Sequence, residues 1–380
     1  MKAAPQCLQR NVLAAGLAML LVACVGPGTK AAGGASKRLL APAGYSLPAV
    51  EQQAFKGCPK PSAPVTGALD YPSKFQGSDA ARDDLNRRAE AEYRQRTRPI
   101  TALEKGINRL AEDYLRSGDI AAVDCAVAWL EQWAEADAML GPATTHTGKS
   151  MRKWALGSVS AAYLRLQRSA SAPLATHATR ARQIEHWLGK WSEQVVAEWS
   201  DVEDQKFNNH EYWAAWAVMV TAVVTDDHDQ FHWAIQMYRR AVSQVSAEGY
   251  LENELRRDTR ALYYHNYALP PLAMIAAFAH ANGVWLLDEA NGGLGRLAEN
   301  VIAGINEPRR FRQKTGSKQK PKRYSDSKFT WLEPYCSLVT CRGALAEKLQ
   351  ASRPLENYRV GGDLTQLFGT SHKRAVPEST

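Results

Sequence analysis

What most limits the folds open to this chain is its near lack of alternating β-branched stretches. A half-buried strand needs that two-residue period, whereas a helix needs apolar residues three and four apart. Segments of the second kind follow one another along the chain. They are Asp79–Arg96 (with Ser78 as expected cap), Thr101–Arg116, Asp119–Ala136, Lys149–Gln167, Ala175–Trp199, Phe207–Val224, Asp229–Val245, Leu269–Ala281 and Leu294–Ala303. The pattern predicts an all-α fold of antiparallel helix hairpins stacked into a solenoid or toroid. No fixed sequence period is visible, so periodicity alone does not close a ring. The 380 residues, 45% of them hydrophobic, suffice for one large or two smaller cores.

Lys and Arg number 47 against 39 Asp and Glu, a net charge of +8. Such a surplus favours polyanions without saying which one. No zinc-finger spacing or aromatic and basic single-strand module points to nucleic acid. No basic amphipathic helix points to a lipid surface.

Two stretches carry candidate chemistry. In Phe207–Met219, FNNHEYWAAWAVM, either Asn208 or Asn209 is placed to cap a helix. Asn209, Trp213 and Trp216 then share one face, with His210 at its edge. Two indoles suit the apolar face of a sugar, and an amide with an imidazole suits its carboxylate; a capped helix with a buried aromatic stripe is the plainer alternative. In Leu255–Met274, LRRDTRALYYHNYALPPLAM, Arg257 and Tyr264 lie two helical turns apart. A guanidinium beside a phenol favours the phenolate, which is then able to take and return a proton.

These stretches, together with THTGKSMRKWALG at Thr145–Gly157 and SKFQGSDAARDDL at Ser73–Leu85, closely resemble the periplasmic mannuronate-specific alginate lyases of polysaccharide lyase family 5. The resemblance runs in order from Leu47 to Arg359. It implies an incomplete (α/α) toroid with a deep substrate tunnel over residues 46–360, and β-elimination on mannuronate-rich alginate without a cofactor. Asn209 and His210 would neutralise the uronate carboxylate, so that the C5 proton becomes acidic and the enolate-like charge is stabilised. Tyr264 would carry the proton, polarised by Arg257; a division that gives His210 the abstraction and Tyr264 only the acid role stays open. Lys74, on a loop with Arg82 expected to cover the cleft, is a substrate-binding candidate, with Lys149, Arg152, Trp154, Trp213, Trp216 and His265. A monomer acting on alginate is expected, with an export or biosynthesis complex as a further partner. The alternative is a weakly active alginate-binding component of such a complex.

Lys2, Arg10 and the apolar run Val12–Ala23 read as an export signal within residues 1–32, which implies a periplasmic protein. Cleavage near Lys30-Ala31-Ala32 is favoured, and Leu21-Val22-Ala23-Cys24 leaves lipid anchoring at Cys24 open. Residues 33–45 read as a linker and 361–380 as a loose tail. In an oxidising compartment Cys58, Cys125, Cys336 and Cys341 allow three pairings. The short loop between Cys336 and Cys341 favours joining those two, and Cys58 with Cys125.

Other motifs carry less. Ser150-Met151-Arg152-Lys153 and Lys314-Thr315-Gly316 match a serine-hydrolase pattern that needs an antiparallel sheet, and here Lys314 sits in a basic, apparently helix-free stretch. His228 and His232 are four apart but lack a third ligand. Gly292-Gly293-Leu294-Gly295 follows no strand and reads as a turn. Two departures from the family pattern stand out: Glu211, expected to raise the pKa of His210 as a nearby anion, and the basic run KTGSKQKPKR at Lys314–Arg323.

Overall fold

The computed structural model of the chain describes residues 37–77 and 79–369. The expected leader, Cys24, the Ser78 cap and the end of the tail lie outside them. From Arg38 onward the chain forms one compact unit. Its α-helices are α1 (Arg87–Ser117), α2 (Ile120–Glu135), α3 (His146–Arg168), α4 (Ala178–Trp199), α5 (Asn209–Thr225), α6 (His228–Ser243) and α7 (Glu252–Leu255). Then follow α8 (Ala261–Ala281), α9 (Glu289–Asn306), α10 (Arg309–Thr315), α11 (Leu332–Leu338), α12 (Gly343–Ser352) and α13 (Leu364–Phe368). Two two-residue strands, β1 (Glu356–Asn357) and β2 (Gly362–Asp363), pair antiparallel near the end. The fold is the expected all-α toroid. α3 and α5 stand at its centre: α3 packs on α1, α4 and α5, and α5 on α4, α6 and α8.

The helices depart from the sequence reading where proline or local polar groups decide. Residues 79–86 are not helical; α1 starts at Arg87, capped by Asn86, whose Oδ1 accepts from Ala89 N–H at 3.0 Å. It then runs through Pro99 as one helix, because Thr97, Ile100 and Leu103 on its inner face are buried and hold both halves to the core. α8 likewise begins before the Pro270-Pro271 pair and passes through it. Pro271 cannot donate to the Tyr267 carbonyl one turn back, and the indole N–H of Trp213 fills that vacancy at 3.2 Å. In α9 the Gly292 region has positive φ, so the helix proper starts after it. Lys314 and Thr315 belong to the short helix α10, not to a helix-free stretch.

Both ends of the described chain are packed. Leu39 and Tyr45 are buried, as are Leu364, Leu367 and Phe368, so residues 361–369 are not the loose tail expected and the linker is anchored at its end. Cys58 is bonded to Cys125 and Cys336 to Cys341, as expected. The first bridge closes a separation of 67 residues and the second one of 5. Loop-closure entropy assigns them roughly 4 and 2 kcal/mol. Cys58→Ser with Cys125→Ser should therefore lower Tm by more than Cys336→Ser with Cys341→Ser; equal shifts in thermal melts would contradict it.

Candidate active site

α3 brings His146, Ser150, Lys153 and Trp154 to one face, since residues four and seven to eight apart lie one above another. α5 meets that face with its first turn. Asn208 caps α5, and Glu211 completes the cap by accepting from the Asn208 N–H at 2.7 Å. Around these ends lies a cleft of about 600 Å³, lined also by Ser73, Lys74, Phe75 and Arg82, by Arg257 and Arg260, and by Tyr263, Tyr264 and Tyr267 of α8. Six cationic side chains line it, Lys74, Arg82, Arg257, Arg260, Lys328 and Arg359, and no carboxylate among the described lining residues does.

His210 is held from three sides. Its Nδ1 faces Lys153 Nζ at 3.1 Å and Ser150 Oγ at 3.4 Å, and its Nε2 faces His146 Nε2 at 3.4 Å. Its ring is stacked on Trp199, centroids 5.8 Å apart. Lys153 is fully buried, and its Nζ lies 3.2 Å from the Trp199 ring centroid. Burial, offset in part by Glu211 and Glu198, pushes the Lys153 pKa well below that of an ordinary lysine. Burial and then Lys153 also push the His210 pKa well down, with His146, Arg257 and Arg82 adding to it. The imidazole is therefore neutral. An amine in either protonation state has an N–H to give, so the tautomer that fits these neighbours accepts at Nδ1 and carries its hydrogen on Nε2. Glu211 does not raise this histidine as expected: its carboxylate is spent on the cap, and burial raises its own pKa.

The second half of the site hangs on Glu254 of α7, a residue sequence reasoning did not single out. This fully buried carboxylate accepts from Asn209 N–H at 2.7 Å and from Asn209 Nδ2 at 2.8 Å, and lies 3.5 Å from Arg257 Nε. The other Asn209 amide hydrogen has a longer contact, 3.3 Å to Asn208 Oδ1. No continuous helix joins Arg257 to Tyr264: a 3-10 turn over Asp258–Arg260 intervenes, with Asp258 at φ 48°. The guanidinium still reaches the phenol ring, 4.7 Å from its centroid, and Arg260 adds a second at 5.1 Å. Burial nonetheless raises the Tyr264 pKa, and Arg260 and Arg257 offset it only in part, so the empty cleft holds a phenol and not the phenolate the sequence suggested.

Several other expected ligands face elsewhere. Trp213 and Trp216 are core residues; Trp216 is fully buried and its indole donates to the Arg359 carbonyl at 3.0 Å. Arg152 is buried against Glu198 and the carbonyls of Met139 and Gly141. His265 is buried, with Nδ1 on the Ala261 carbonyl at 2.8 Å and Nε2 accepting from Leu251 N–H at 2.9 Å. Lys149 is half-buried and does not line the cleft. Lys74 and Trp154 do line it, and Arg359 covers one face of Trp154 at 4.3 Å. What the motifs missed is Lys153, Arg260, Lys328, Arg359 and the tyrosines beside Tyr264; the run Tyr263-Tyr264-His265-Asn266-Tyr267 was the available signal for the last.

The fold and the site together define a helical toroid with an acid–base cleft built to receive an anionic ligand. Comparison with known proteins narrows this. The family model described as alginate lyase matches residues 70–311. Alginate lyase of Azotobacter vinelandii is 46% identical over 349 residues, 91% of this chain and 93% of its own. Alginate lyase of Cobetia marina is 48% identical over 319 residues, 84% of this chain and 85% of its own. Among solved structures, alginate lyase A1-III complexed with a tetrasaccharide superposes with a TM-score of 0.70 at 20% identity, covering 88% of this chain and 90% of that one. The chain belongs to the alginate lyase family.

The His210 arrangement is open to direct measurement. With ¹⁵N-labelled histidine, NMR should show Nδ1 of His210 as the unprotonated nitrogen and the ring still neutral below the pH range in which an ordinary histidine titrates. Lys153→Met should move the Nδ1 signal. A His210 that titrates like a free imidazole, or that carries its hydrogen on Nδ1, would refute the arrangement.

Proposed function

We propose that the protein is a lyase that cleaves the 1,4-linkages of mannuronate-rich alginate by β-elimination, with Tyr264 carrying the proton in both directions. The observation that carries this reading is a phenol under two guanidiniums, Arg257 and Arg260, in a cleft lined by cations without a carboxylate among its described lining residues. The names of the curated relatives support the substrate class.

In the empty cleft Tyr264 is protonated, so it first releases its proton to solvent; Arg257 and Arg260 favour the phenolate. The substrate carboxylate docks against the Nε2–H of His210 and the Asn209 amide hydrogen whose long contact to Asn208 is the easiest to exchange. These donors hold the charge that spreads onto the carboxylate as C5 loses its proton. The phenolate takes that proton, the C4–O4 bond breaks, and a C4=C5 double bond forms. O4 leaves with the proton that Tyr264 returns, so phenolate is regenerated and no water is consumed. In mannuronate the C5 hydrogen and O4 lie on one side of the ring, so one phenol can serve both atoms. The neutral His210, with its hydrogen already on Nε2, acts as donor in this scheme and not as base. Under this reading the protein works in the periplasm as a monomer, clearing polymer that strays there during secretion; an unsaturated-product assay on periplasmic fractions tests the compartment.

Kinetics test the roles. Product formation is read by the ultraviolet absorbance of the conjugated double bond on adding polymannuronate. Tyr264→Phe should lower kcat by at least about a hundredfold with KM little changed, since acid and base are lost together. Because the base must be ionised and burial raises its pKa, log kcat/KM should climb with pH through the neutral into the alkaline range. Arg257→Ala should push that climb to still higher pH. A kcat/KM already level across neutral pH, with rescue of His210→Ala by added imidazole and Tyr264→Phe near normal, would transfer the base to His210.

A further inference from the structure

Beside the cleft lies a second hollow of about 520 Å³ whose rim comes from the basic run that set this sequence apart. Arg309 and Arg312 of α10, Lys318, Lys322 and Arg323 of the following loop, and Lys348 of α12 border it. Arg309 and Lys348 are paired, with Glu307 at 2.9 Å and Asp326 at 3.7 Å. Arg312, Lys318, Lys322 and Arg323 have no ion pair among the described residues. Its floor is largely apolar, with Ile305, Pro308, Pro321 and Tyr324, while Phe329 is buried beneath Lys348, whose Nζ lies 4.0 Å from the ring centroid. An apolar floor under a rim of cations fits a pyranose that carries a carboxylate, because the sugar's apolar face covers the floor while the charge meets the rim.

The hollow is next to the cleft, one tyrosine pair away. Tyr263 lines the cleft and Tyr324 the hollow, and their rings are stacked 6.3 Å apart. Lys328, another cleft residue, sits 5.6 Å from the Tyr263 ring centroid. Cationic and aromatic side chains therefore follow one another from Arg260 through Tyr263 and Lys328 to Tyr324, with Arg323 on the rim of the same hollow. We infer that this hollow is a second binding site for an acidic polysaccharide, which holds the part of a long chain that extends beyond the catalytic cleft. The inference rests on the lyase reading for the identity of the polymer. Its cations add affinity by holding a second stretch of a chain already engaged, so they act on long substrates and not on short ones.

The test uses the full chain carrying Lys318→Ser, Lys322→Ser and Arg323→Ser, assayed on polymannuronate and on a short oligomannuronate that fills only the cleft. KM for the polymer should rise by about tenfold, the sum expected of three exposed ion contacts, and should lose part of its salt dependence. The short substrate should show unchanged kcat and KM. Unaltered polymer KM, or equal losses on both substrates, would overturn the second site. If the wild type does not cleave polymannuronate at all, the lyase reading falls instead, and equilibrium binding of long and short oligomannuronates to wild type and variant then decides the site by the same ratio. Single-stranded DNA that competes at this hollow more tightly than polymannuronate would also overturn it.

Discussion

The site depends on how closely two helices approach. At Gly157 a Cβ would stand 3.3 Å from both Cα and Cβ of Ala217, tighter than side chains normally pack, so α3 and α5 meet there nearly backbone to backbone. One turn earlier on α3, Lys153 consequently reaches His210 on the first turn of α5. An alanine at 157 would push the two helices apart by a few tenths of an ångström at this contact and lengthen the distance from Lys153 to His210. The same contact carries Ser150 and Trp154 to the cleft, so the catalytic wall is a consequence of core packing and not of a separate loop.

Burial acts on the two halves of the site in opposite directions. It lowers the pKa of both Lys153 and His210, so the imidazole is neutral and accepts at Nδ1 from the lysine beside it. It also raises Glu254, yet two hydrogen bonds from Asn209 and the Arg257 guanidinium all favour its carboxylate form. A buried carboxylate without such partners would be costly. With them, one group holds both the Asn209 amide and the Arg257 guanidinium that faces the phenol, so the two keep a fixed spacing across the cleft.

Much of this was legible in the sequence, and the limits have physical causes. The helical class followed from periodicity, the α5 cap from the Asn208-Asn209 pair without saying which of the two, and both disulfides from cysteine spacing. Arg257 and Tyr264 meet as read, though across a 3-10 turn. Helical periodicity says which residues share a face, not whether that face meets a cleft or a core, so Trp213 and Trp216 were placed at the sugar while they pack inside. The tandem prolines held the missing clue: they free a carbonyl that an indole must satisfy. Arg152 and His265 sit within catalytic motifs but turn inward, since neighbours on a helix point about 100° apart. Lys153 and Glu254 were invisible because a single sequence gives charged residues no mark of burial.

The cleft also shows why charge of one sign can be held open there. Two of the six cations have a counter-charge behind the wall: Glu254 behind Arg257, and the buried Glu104 3.7 Å from Arg359 Nε. Burial pushes Glu104 up to about 7, with Arg359 opposing, so even these rear carboxylates sit near the limit of what the interior tolerates. A carboxylate placed on the cleft side would satisfy the cations better, but would also occupy the position a ligand's charge has to take. Keeping the anions to the rear leaves the positive potential facing the opening, where a polyanion adds the missing front layer. The side of Arg257 and of Arg359 on which its glutamate stands thus decides the sign of the charge the cleft presents.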